Sequence, residues 1–236
     1  MKLIGVPLSP FVRKVTVVMT IKELEFERDY AMPGDTSPEF RAMSPLGKIP
    51  VLVDGDFFVA DSSAICEYLE EKYPQHPVLP QGPEQRAKAR FLEEIGDSRL
   101  VEHASIVFIE RFGAENIFGR EPDLARAANA EDNLLPPILD YLESQVPPEG
   151  YLFGDFTTAD ISITTPIFNA AYGGYQVDAG RWPRYAAFVN RVAEHPAVIQ
   201  AREAESQFLA AMQAGQKFAS GMGCAEAPRP RINPAP

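Results

Sequence analysis

Basic charge is scarce in this sequence. Across 236 residues, 22 Lys and Arg stand against 33 Asp and Glu, a formal net charge of −11. That balance argues against a nucleic-acid partner and against docking on an anionic membrane. Cysteine is scarce too: Cys66 and Cys224 lie far apart and in no pair motif. A disulfide framework has no basis, and a reducing compartment fits. The histidines, His76, His103 and His195, lack ligand spacing, and two of them precede proline, so no metal site is expected. No apolar run approaches the roughly 18–20 residues that span a bilayer. Met1-Lys2 leads straight into a strand-like run with no signal-peptide core, so the expected location is cytoplasmic. There is no Gly-rich phosphate loop, no Cys-x-x-Cys and no internal repeat.

What remains is an ordinary globular composition, 45% hydrophobic and 23% charged, long enough for one large domain or two small ones. The chain is organised around residues 6–15. Leu3-Ile4-Gly5-Val6 reads as a short buried strand, and apolar residues at 11, 12, 15, 18 and 19 come after it with helical spacing. Ser9 therefore stands at a helix start with Pro10 at the first helical position, where a missing N–H costs nothing. A hydroxyl there sits beside unpaired N–H groups and the positive end of the helix dipole, a setting that stabilises an anion such as a thiolate. On this stretch alone a plain helix cap is the favoured reading of Ser9.

Phe26–Tyr30 alternates as a second strand, residues 31–47 hold turns and a short helix near 39–43, and two strands flank an Asp54-Gly55 hairpin turn. Asp61-Ser62 then opens a helix to about Tyr73. Pro74, Pro77, Pro80 and Pro83 mark a linker. Beyond it the patterning predicts helices over 84–112, 121–146 (kinked at Pro136-Pro137), 157–172, 182–194 and 196–214. The expected domains are 1–75, a linker 76–84, a helical domain 85–214 and a Gly/Ala/Pro-rich tail 215–236. Thr157 and Asp160 have capping-box spacing and read as structural. Cys66 reads as a packing residue. Ile49-Pro50 leads a buried strand, and sequence alone favours a trans bond there.

Four segments together carry a resemblance: 9–15 (SPFVRKV), 45–52 (PLGKIPVL), 61–69 (DSSAICEYL) and 156–161 (FTTADI). In this order, over about residues 1–212, they resemble the cytosolic glutathione transferase family, most of all its serine-type classes, the plant tau class and related bacterial enzymes. Residues 31–44 depart from the tau pattern in lacking its lysine.

The resemblance implies an α/β thioredoxin-like N-terminal domain (βαβαββα, a mixed four-stranded sheet), an all-α C-terminal domain and a homodimer. It implies a cis Pro50, and glutathione as co-substrate held by Ser9, Phe11, Lys48, Ile49, Pro50, Asp61 and Ser62. Ser9 would hydrogen-bond the sulfur, Lys48 would meet the glycyl end, Ile49 the cysteinyl backbone, and Asp61 with Ser62 the γ-glutamyl end. Arg13 or Lys14 would add positive potential or face solvent. A small hydrophobic electrophile would bind near Leu8, Phe11 and the middle of the 84–112 helix, with Arg111, Phe112 and Tyr172 as further candidates. The activity implied is detoxifying transfer of an alkyl or aryl group to the thiolate. A non-catalytic binding or regulatory protein, a thiol transferase, and an ether-cleaving or dehalogenating enzyme are the other readings.

Overall fold

A computed structural model describes residues 1–214. The expectations for the tail and for Cys224 lie outside the described residues. The chain begins β1 (Lys2–Ile4), α1 (Pro10–Ile21), β2 (Glu27–Asp29), α2 (Pro38–Met43), β3 (Val51–Asp54), β4 (Phe57–Ala60) and α3 (Ser62–Lys72). The sheet has the order β2-β1-β3-β4, with β1 parallel to β2 and antiparallel to β3, and β3 antiparallel to β4. This is the thioredoxin-like arrangement. Strand β1 stops short of the end of the apolar run because Gly5 turns to φ +147.

Helix α1 is buried almost all round, from Val12 to Met19. A helix needs two covering partners for that: α1 packs against α3 on one side and the helical half of the chain on the other. Its apolar residues Val15, Val17, Val18 and Met19 join Leu52, Ile65 and Leu69 in the core.

The proline-spaced linker is a packed strap. Val78 and Leu79 are buried, the Lys22 ammonium donates to the carbonyls of Tyr73, Gln75 and His76, and Thr158 N donates to Val78 O.

The second half is helical: α4 (Pro83–Ile95), α5 (Val101–Phe108), α6 (Ala114–Asn116), α7 (Leu124–Asn129), α8 (Pro136–Gln145), α9 (Thr158–Ser162), α10 (Thr165–Tyr172), α11 (Pro183–Ala193) and α12 (Pro196–Gln213). Wider π-helical turns at Gly96–Leu100 and Ile109–Gly113 interrupt the rod expected over 84–112. The single helix expected over 157–172 is two. Pro166 has no N–H to continue α9, and at the break the Thr164 hydroxyl lies 2.8 Å from the Asp160 carbonyl and 3.1 Å from that of Ile161, which also accepts Thr164 N. Asp160 accepts from Thr157 N at 2.8 Å and Leu152 N at 2.9 Å, so both capping and loop closure fall to one carboxylate. Burial pushes its pKa up to about 6. No helix among the described residues is long and apolar enough to cross a membrane.

Candidate active site

The chain reaches Ser9 through a passage only glycine fits. A Cβ on Gly5 would lie 2.7 Å from Val12 Cγ2 and 3.1 Å from Ile49 Cβ, so β1 delivers the loop between α1 and the Ile49–Pro50 corner at backbone contact distance. The Ile49–Pro50 bond is cis. Ser9 then caps α1 with extended backbone, its Oγ accepting weakly from Val12 N at 3.4 Å, and Pro10 occupies the first helical position. The hydroxyl proton is directed to no protein acceptor among the described residues, which leaves it available to a ligand.

Helix α3 starts nearby. Asp61 has φ +87, in the left-handed region that costs a non-glycine residue about 1 kcal/mol or more, and its carboxylate accepts from Ser63 N and Ala64 N at 3.0 and 3.1 Å. A single cleft of about 900 Å³ is lined by Ser9 and Phe11 at one helix start and by Asp61 and Ser62 at the other, with Lys48 and Ile49 between. Pro50 is buried behind the lining.

The charged lining is Lys48 against Asp61, Glu94 and Asp97, and these stand where the sheet domain faces α4. Asp97 also bonds the buried Lys14 ammonium, which reaches Glu93 at 2.6 Å and Ser63 Oγ at 3.0 Å. Burial works against the charge on Lys14, but Asp97 and Glu93 outweigh it and hold its pKa above the usual lysine value. Burial raises the pKa of Asp97 against the pull of Lys14. Burial also pushes the Cys66 thiol up, so that sulfur is inert packing.

Two expected side chains are thus elsewhere in role. Arg13 and Lys14 are 1% and 0% exposed, and neither faces solvent or lines the cleft. Arg13 pairs with Glu205, and Lys14 with Glu93 and Asp97. Their charge is consumed in fastening α1 to the helical half.

The other end of the cleft is apolar. Leu8 and Phe11 meet Val101 and Phe108 of α5, Phe118 beyond α6, and Phe208 of α12. Arg111, Phe112 and Tyr172 are not part of this wall. Ile109–Gly113 forms a π turn, wider than a regular helical turn. Arg111, inside that turn, holds Glu131 through bonds of 2.6 and 2.7 Å, beside a separate surface hollow. Phe112 packs behind, its ring 5.6 Å from Phe108 and 5.5 Å from Tyr172. The Tyr172 hydroxyl donates to Glu205 at 3.0 Å, and burial first, then that carboxylate, pushes its pKa up to about 12.

Among the lining residues that sequence reasoning missed are Phe118 and Phe208. Phe208 lies in an amphipathic helix whose partner the sequence does not name, and Phe118 in a stretch with no periodicity. No group of three or more His, Cys, Asp or Glu able to hold a metal ion occurs among the described residues.

A family model for the glutathione S-transferase N-terminal domain matches residues 3–77. A maize glutathione S-transferase 3 is 34% identical over 166 residues, spanning 68% of this chain and 73% of that protein. A maleylacetoacetate isomerase of Pseudomonas aeruginosa is 28% identical over 203 residues, 81% of this chain and 90% of its own. A solved glutathione S-transferase from Rhodospirillum rubrum F11 superposes with a TM-score of 0.74 at 30% identity, covering 84% of this chain and 89% of that one. With the sheet order, the paired helix starts and these matches all agreeing, the chain belongs to the glutathione S-transferase family.

Proposed function

We propose that this chain is a serine-type glutathione transferase, in which Ser9 stabilises the glutathione thiolate for attack on a small, uncharged hydrophobic electrophile. The observation that carries this is the single cleft joining a free hydroxyl at the start of α1 to an apolar pocket on one side and to the start of α3 on the other.

Glutathione has an ammonium and a carboxylate on one carbon at its γ-glutamyl end and a carboxylate at its glycyl end. Asp61 and Ser62 at a helix N-terminus suit the first pair of charges, and Lys48 suits the second. A free thiol has a pKa near 8.5, so shifting it down by about two units takes roughly 2.7 kcal/mol. A hydrogen bond to a charged acceptor contributes about 1.5–3 kcal/mol. The helix terminus adds about 0.3–1 kcal/mol. One hydroxyl on one helix start is therefore sufficient, with no general base. The thiol proton passes to solvent, the sulfur lone pair forms the new C–S bond, and the leaving group departs with its electron pair; in an addition, the adjacent carbon takes up a proton.

The maleylacetoacetate isomerase relative raises the reading that this chain isomerises a carboxylate-bearing substrate. The cleft's charges argue for conjugation instead, since Lys48 is the cation in the lining and stands with the glutathione-facing residues, leaving the apolar end with none among the described residues. A homodimer in a reducing cytoplasm belongs to the same proposal, in keeping with the free, buried Cys66.

The test is calorimetric titration with glutathione and then turnover of 1-chloro-2,4-dinitrobenzene. Binding with turnover supports the transferase. Binding without turnover favours a regulatory protein, and isomerisation of a cis-enoic diacid without conjugation favours the isomerase.

A further inference from the structure

The peptide unit just before Ser9 is held at both of its polar atoms. Its N–H, from Ser9, donates to Val6 O at 3.0 Å within the loop. Its carbonyl, from Leu8, accepts from Asn169 Nδ2 at 2.8 Å, across 161 residues of sequence. Asn169 lies on α10, is 3% exposed and borders the cleft. Four residues earlier on the same face of α10, Thr165 takes the Arg13 guanidinium through its carbonyl at 2.8 Å and its hydroxyl at 2.6 Å. Helix α10 thus grips the chain at Leu8 and at Arg13, on either side of Ser9.

From this we infer that Asn169 is a positioning residue: through Leu8 it fixes the plane of the peptide that aims the Ser9 hydroxyl, and so sets the acidity of the bound thiol. The inference rests on the proposed role of Ser9. The direction of the Ser9 Cα–Cβ bond depends on that peptide plane, and hydrogen bonds weaken steeply with misalignment. Asn169 Oδ1 is buried with no partner, so the amide carries a cost beside its one bond, while a leucine of nearly the same shape would leave the Leu8 carbonyl unpaired. What the amide supplies is its one bond to Leu8 O.

The experiment is ultraviolet difference titration of bound glutathione in the full chain for the wild type, Ser9→Ala, Asn169→Leu and the shape-preserving Asn169→Asp, with binding of S-methylglutathione measured alongside. Asn169→Leu should raise the thiol pKa by about one unit, so that kcat/KM for glutathione falls about tenfold at pH 6.5 and the deficit closes as the pH passes the new pKa. Asn169→Asp should move it in the same direction. Affinity for S-methylglutathione, which has no thiol proton to lose, should stay within about twofold. If Ser9→Ala leaves the pKa where it was, the Ser9 reading itself fails. If Ser9→Ala raises it and the Asn169 variants do not, the inference about Asn169 fails while Ser9 stands. Loss of S-methylglutathione binding in both Asn169 variants would also overturn it, by making Asn169 a general packing residue.

Discussion

Arg13 Nη2 on α1 lies 2.8 Å from Glu205 Oε2 on α12, and both side chains are wholly buried. The same carboxylate accepts the Tyr172 hydroxyl. Helix α1 carries Ser9 at its start and α12 carries Phe208 in the cleft wall, so this pair joins the reactive end of the cleft to its apolar end. A buried pair gains little net stability over an apolar replacement, but removing one partner strands a charge at about 3–5 kcal/mol. Glu205→Ala should lower the unfolding free energy by about that much, and the double variant Arg13→Met/Glu205→Leu should recover most of it in a denaturant-unfolding cycle. Equal losses in the single and double variants would count against the pairing.

Gly96 opens the first π turn, where α4 meets α9. A Cβ there would lie 2.3 Å from Ser162 O, a backbone atom that cannot swing aside. Gly96→Ala should cost about 1–3 kcal/mol by overpacking, read from the denaturant midpoint. A change below about 0.5 kcal/mol would mean the helices separate freely.

Glu110 accepts from Arg120 at 2.8 and 2.9 Å, from Asp123 N at 3.0 Å and from Arg126 at 3.1 Å. Its hydrogen bonds from Arg120, foremost, hold its pKa down at about 2. The unfolded chain, with a carboxylate pKa near about 4.3, binds more protons between those values than the folded one. Stability from this group is therefore complete above that unfolded value and is lost as the pH falls toward 2. The stability gap between wild type and Glu110→Gln, tracked by circular dichroism, should narrow across that acid window; a gap constant with pH would contradict it.

The cleft wall separates residues that the sequence could not. Phe208→Ala should raise KM for an aromatic electrophile by about tenfold, in line with about 1.5–3 kcal/mol for burying an aromatic side chain, with KM for glutathione little changed. Arg111→Ala should leave both within about twofold, since its partner is Glu131. Steady-state kinetics against each substrate reads both, and the reverse pattern would return Arg111 to the pocket.

Much of the sheet domain is legible because its signals are local: Ser9-Pro10 and Asp61-Ser62 announce helix starts, and Asp54-Gly55 announces a hairpin. The family resemblance supplies the cis bond at Pro50, which sequence alone disfavours. The helical half is legible as helix and poorly legible as a wall. Arg111 and Phe112, named only as pocket candidates, lie inside a π turn and outside the wall, and that turn leaves no mark in the apolar pattern. Arg13 and Lys14 read as cations aimed at the site or at solvent because their carboxylate partners lie 192 and 79 to 83 residues away in sequence. Asn169 gives no signal at all: a lone asparagine in a helix becomes informative only once the backbone carbonyl it meets is known.

The most direct measurement is the ultraviolet titration of glutathione bound to the wild type and to Ser9→Ala. With Ser9 present, thiolate absorbance should rise at a pH well below the free thiol value near about 8.5, and in Ser9→Ala the midpoint should return toward that value. Coincident titration curves for the two proteins would contradict the account at its centre.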